Sequence, residues 1–175
     1  MKRLFPAFMI IILFMAASTV AFAGGNKGCK IQGSWIGFDN SDSYWIATYH
    51  GRSASSGTSD LEFPLFDPTL GGLFPETGKV SGARGVWERT GGNTFAYTLI
   101  LFGIDDSTNV SWILKNSGNK TLTEDCNLMS IQSSIEVFLP GVDPFEGDPI
   151  FCIPPPTEPS SWEVRMRVDP PCTLE

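Results

Sequence analysis

From Lys79 to Leu139 apolar and polar residues alternate with the period of two that a β-strand imposes on its two faces. The alternation breaks at Thr90-Gly91-Gly92-Asn93, at Asp105-Asp106-Ser107-Thr108-Asn109 and near Thr123-Glu124-Asp125, all rich in turn-forming residues. The pattern therefore predicts a β-meander, with strands near 83–89, 94–104, 110–115 and 127–139. Ser117-Gly118 marks a bulge or a turn, so a continuation of the third strand through 120–123 stays open. In the last of these strands Met129, Ile131, Ser133, Ile135, Val137 and Leu139 share one face, and that face is the dry one.

The flanks extend the pattern. Residues 33–38 and 44–50, around the turn-rich 39–43, predict a hairpin. Residues 52–78 change character, with a Ser/Gly tract followed by Leu61, Phe63, Pro64, Leu65, Phe66, Pro68, Leu73, Phe74 and Pro75. Prolines remove donors and glycines loosen the chain, so this stretch reads as a long flap whose apolar members cover one end of the domain. Residues 140–160 are proline-rich and read as an extended surface loop. Trp162, Val164, Met166 and Val168 then alternate with Glu163, Arg165 and Arg167 as a final half-buried strand. No segment longer than a turn has helical periodicity. The expected fold is all-β: an antiparallel up-and-down barrel of about eight strands, which leaves no exposed edges, with a two-sheet sandwich as the competitor.

The N-terminus does not belong to that fold. Met1-Lys2-Arg3, the apolar run from Leu4 to Val20 and Ala21-Phe22-Ala23 have the charge, length and small-x-small ending of a secretory signal over 1–23. The run is short for a membrane span and no basic stop-transfer flank follows it, so no stable membrane anchor is expected. What remains, 24–175, is the length of a single domain, expected in the periplasm or outside the cell. The chain carries 19 acidic against 12 basic residues, and losing Lys2 and Arg3 makes the remainder more acidic still. Such a surface argues against nucleic acid as a partner.

Cysteines fit the exported reading. Cys29, Cys126, Cys152 and Cys172 are even in number, which in an oxidising compartment predicts two disulfides with three possible pairings. Closure of a barrel would make the first and last strands neighbours and so favours Cys29–Cys172 with Cys126–Cys152. No two of them have the close spacing of a zinc site, and the only histidine, His50, is remote from all of them, so neither metal nor cofactor is expected. Asp105 to Asn109 lacks the glycine and distal glutamate of an EF-hand loop and is read as a hairpin turn.

Gly33-Ser34-Trp35 near the start of the domain, with Arg165 or Arg167 on the last strand, resembles the lipocalin signature. In that family, and in the wider calycin group, the tryptophan lies across the closed end of the barrel and an arginine stacks on it, a cation over a π face. The run from Gly85 to Phe95 looks like one found in exported bacterial proteins with a lipocalin-like barrel. The family's Thr-Asp-Tyr turn and C-terminal helix have no counterpart here.

The resemblance implies a barrel that holds one small molecule. Small barrels either fill their interior or hold a ligand, and the aromatic residues admit both. Trp87, Phe95, Tyr97 and Trp112 would line a lumen open at the flap end, with Phe63, Phe66 and Phe74 on the flap, binding a small apolar molecule. Alternatives are a filled, disulfide-stapled interaction domain, or an enzyme on the same scaffold of the allene oxide cyclase or dirigent kind. His50 at a strand end reads as a surface residue; as a general base it would need Glu62, Glu88 or Glu136 beside it.

Overall fold

The computed structural model describes residues 28–40, 43–64 and 66–167. Residues 1–27, where a signal segment is expected, and Leu65, Val168 and Cys172 lie outside the described residues. The elements are β1 (Gly33–Asp39), β2 (Tyr44–Gly51), β3 (Ser56–Glu62), β4 (Thr77–Val80), β5 (Ala83–Gly91), β6 (Thr94–Asp105), β7 (Val110–Leu122), β8 (Leu128–Phe138), β9 (Phe151–Ile153) and β10 (Ser161–Arg165). Every pairing is antiparallel, in the order β10-β1-β2-β3-β5-β6-β7-β8, and β10 pairs with β8 as well as β1 to close the circle. Two staves of this eight-stranded barrel come in two pieces. Both β4 and β5 pair with β6, one after the other, and both β9 and β10 pair with β8.

Period-two patterning places the core. Along β6, Phe95, Tyr97, Leu99 and Leu101 are buried while Thr94, Ala96, Thr98 and Ile100 face out, as the alternation requires. Strand β7 runs unbroken through Ser117-Gly118 to Leu122, with a continuous register against both neighbours over that stretch, so no turn interrupts it. Gly37 lies opposite Trp45, and a Cβ at Gly37 would sit 1.9 Å from that indole. The bare glycine is what lets Trp45 lie flat across β1.

Two expectations about strands are corrected. The flap does not begin at residue 52, because Ser56–Glu62 is strand β3, paired with β2 and β5. Its inward residues are Gly57, Ser59 and Leu61, so period two is intact but only one inward side chain is large and apolar. The loop proper is 63–76. In β10 burial is inverted relative to hydropathy: Glu163 is fully buried, while Val164, and Met166 just after the strand, are more than two-fifths exposed. The apolar side of β10 faces outward, in register with Ile36 and Phe38 of β1, and Phe38 stacks on Trp162 at 6.0 Å between ring centroids.

The disulfide pairing is corrected too. Cys29 bonds Cys126, and Cys152 is free and exposed among the described residues, so neither Cys29–Cys172 nor Cys126–Cys152 forms. The physical reason is that β10 has two neighbours. Its pairing with β8 brings the β7–β8 turn, which carries Cys126, to the same end of the barrel as the segment leading into β1. The proline-rich loop is tethered instead by Lys115, which donates to the Pro144 carbonyl at 2.8 Å and pairs with Glu136.

That end of the barrel is closed. Trp35 is fully buried, its indole donates to the Ile31 carbonyl at 2.9 Å, and the Arg165 guanidinium lies 4.3 Å from the centre of its ring. Arg165 also donates to the carbonyls of Cys126 and Gln32, each at 3.0 Å, and to that of Lys30. Gly33 adopts φ 129°, which only glycine takes comfortably, and a side chain there would press on this guanidinium at 3.1 Å. Arg167 is exposed and takes no part. Beside them Arg89 covers Phe95 at 4.5 Å, and Trp87 meets Phe95 edge to face. Trp35→Ala is therefore expected to cost about 3–5 kcal/mol, measured by urea unfolding; a loss below about 1 kcal/mol would show that the plug is dispensable.

Candidate functional site

Above the plug the barrel is hollow. A cavity of about 550 Å3 occupies the half nearer the β1–β2 turn, within the 300–1,000 Å3 range of small-molecule sites. Its wall is apolar: Leu61 from β3, Leu99 and Leu101 from β6, Leu114 from β7, Ile131 and Ile135 from β8, with Phe63 and Phe66 from the loop after β3. Asn40, Ser43, Pro154 and Pro156 line it and are themselves solvent-exposed, so the entrance lies between the β1–β2 turn and the proline-rich strap ahead of β10.

The loop residues form an aromatic chain over that half. Trp45 meets Phe63 at 6.2 Å, Phe63 meets Phe66 at 5.7 Å, and Phe66 and Phe74 both meet Trp112, at 6.2 and 6.4 Å. The Trp112 indole donates to the Pro68 carbonyl at 3.1 Å, fixing the loop to β7. Within the loop Asp67 accepts from the Thr69 hydroxyl and from the amides of Thr69 and Gly71. Those bonds, the Thr69 hydroxyl foremost, hold its carboxyl below the usual range.

Two polar groups interrupt the apolar wall. In the first, Glu163 of β10 accepts from Lys120 at 2.6 Å, from the Trp45 indole at 2.9 Å and from the Tyr49 hydroxyl at 2.8 Å. Lys120 also donates to the Tyr49 oxygen, and its ammonium lies over the rings of Tyr97 and Tyr49 at 4.7 and 5.0 Å. Lys120 is 1% exposed and Glu163 0%. Burial pushes the Lys120 amine down from its ordinary value, and Glu163 beside it acts in the opposite direction. In the second group Tyr97 donates to Asn116 at 2.6 Å and Asn116 donates to Ser133 at 3.2 Å. Burial raises the Tyr97 phenol above its ordinary value, and burial followed by the Glu163 charge raises that of Tyr49.

Of the aromatic residues that the sequence offered for the lumen, Tyr97, Phe63 and Phe66 line it. Trp87 and Phe95 pack in the closed end below, and Trp112 and Phe74 support the loop from outside the cavity. His50 is on the outer surface, 3.3 Å from Asp60, and is not joined to Glu62, Glu88 or Glu136. Lys120 and Glu163 escaped a reading by hydropathy because each falls at an inward position of a strand whose charges look solvated. One signal was available: counting inward from Trp112 by twos along β7 reaches Lys120, and from Ser161 along β10 reaches Glu163. Among the described residues no three His, Cys, Asp or Glu side chains are placed to hold a metal ion. Comparison with models of protein families, with curated proteins and with solved structures found no match to this chain.

Removing one partner of the pair strands the other as a buried charge. Glu163→Gln and Lys120→Met are each expected to lower stability by about 3–5 kcal/mol, while the double variant recovers much of the loss. Additive losses in the double variant, measured by urea unfolding, would show that the two groups do not interact. The phenols make a second test. With both held protonated by the fold, their contribution is fully present below the ordinary phenol value of about 10 and is lost as pH rises above it. In a Tyr44→Phe chain, which leaves Tyr49 and Tyr97 as the only tyrosines, tyrosinate absorbance should rise only together with loss of the fold. A rise that precedes unfolding would contradict the buried placement.

Proposed function

We propose that this protein is an exported, lipocalin-like barrel that binds one small, largely apolar molecule in its lumen, without catalysis. The observation that carries the reading is the cavity itself: about 550 Å3, open at one end, walled mainly by aliphatic and aromatic side chains. A domain that needed only to be stable would fill that space, since empty apolar volume is costly. Supporting it is the Gly33-x-Trp35 plug under Arg165, the arrangement that the lipocalin resemblance implies. Export rests on the signal pattern of residues 1–23, and the Cys29–Cys126 bond suits an oxidising compartment.

Phe63 and Phe66 line both the lumen and a neighbouring recess of about 290 Å3. The loop thus forms part of the binding wall rather than a loose cover. A neutral naphthylamine dye should bind with a fluorescence increase and quench Trp45, which lines the same space. Leu99→Trp, which places an indole in the cavity, should weaken the dye at least about tenfold without unfolding the protein, because it fills a void instead of overpacking a core. If the wild-type protein binds no apolar dye, or if Leu99→Trp binds it as well as wild type, the lumen is not a ligand site.

A further inference from the structure

We infer that the lumen selects an uncharged ligand, an apolar chain or ring system bearing a neutral acceptor oxygen such as an alcohol, carbonyl or ester, and rejects carboxylates. This rests on the lumen being the binding site. Its basis is the charge and donor inventory of the two polar groups.

A barrel built to hold a fatty-acid anion would offer it an unpaired cation. Lys120 is the cation lining this cavity, and it is already neutralised at 2.6 Å by Glu163, which lines the cavity with it. Its ammonium is further occupied by the Tyr49 oxygen and the π faces of Tyr97 and Tyr49. A carboxylate entering the lumen would therefore place a second buried anion beside one cation, leaving one negative charge uncompensated in an apolar enclosure. A neutral head adds no charge and meets no such penalty.

The second group supplies what a neutral oxygen needs. Tyr97, Asn116 and Ser133 together carry four side-chain donor hydrogens: one phenol, two amide and one hydroxyl. The bonds from Tyr97 to Asn116 and from Asn116 to Ser133 use two of them. The Ser133 hydroxyl is engaged with Tyr97, so the second amide hydrogen of Asn116 remains as the spare donor of the group, and all three residues line the cavity. Donors facing an apolar enclosure are worth most to a ligand that brings an acceptor. Reversing the direction of these bonds changes which hydrogen is left over but not that one is left.

The test is displacement of the bound neutral dye by decan-1-ol and by decanoate at about pH 7, where the acid is ionised. Decanol should displace the dye at least about tenfold more effectively than decanoate, since each factor of ten needs only a modest free-energy difference. Asn116→Leu should lower the affinity for decanol relative to that for the dye by about tenfold, the cost of leaving its oxygen without a donor. Glu163→Gln, where it folds, unpairs Lys120 and should turn the preference toward decanoate. Equal displacement by acid and alcohol in the wild type, no relative loss in Asn116→Leu, or a folded Glu163→Gln that still prefers the alcohol would each overturn the inference while leaving the lumen a ligand site. A wild type that takes up no dye and neither decyl compound would overturn both readings together.

Discussion

The pairing of β10 with β1 on one side and β8 on the other is the constraint on which the remainder of the molecule depends. It converts a meander into a cylinder and removes the free edges that an open sheet would present over that length. It also delivers two side chains from one short strand to opposite tasks. Arg165 goes to the closed end, where it covers Trp35 and gathers three carbonyls from two segments, Lys30 and Gln32 ahead of β1 and Cys126 in the β7–β8 turn. Glu163, two residues earlier and on the same inward face, goes to the lumen, where three donors converge on it.

The lumen is then a graded environment rather than a uniform oily space. Aliphatic side chains from β3, β6, β7 and β8 make most of its wall, and the two polar groups lie among them with most of their hydrogen bonds made to one another. Such internal satisfaction is what allows charge to persist inside a barrel, because a buried ion whose partners are all present costs far less than one left alone. It also means that Lys120 and Glu163 find their partners in the fold rather than in water.

Much of this was legible in the sequence, and the failures have physical causes. Strand β6 follows from alternation because its inward set, Phe95, Tyr97, Leu99 and Leu101, is large and apolar. The Gly33-Trp35-Arg165 cluster was visible because its residue types are distinctive. Strand β3 was hidden: Gly57 and Ser59 face inward as small residues, and at Gly57 the Trp87 indole takes space a side chain would need. Lys120 and Glu163 were hidden by their charge, since a strand with a buried ion has the hydropathy of a strand turned inside out. β10 combines this with an apolar outer face, so its pattern pointed the wrong way. The disulfide was misassigned because closure onto β1 alone favours Cys29–Cys172, whereas β10 has β8 as a second neighbour.

Closure by the last strand also ties the ion pair to the seal of the cylinder. The contacts that seal it, Trp35 with Arg165 among them, join residues at opposite ends of the domain, the kind of non-local pairing that topology makes slow to form. Lys120 belongs to β7 and Glu163 to β10, so the two charges meet only where β10 lies in place against β8. Loosening that one strand would therefore part the pair and uncover the plug together.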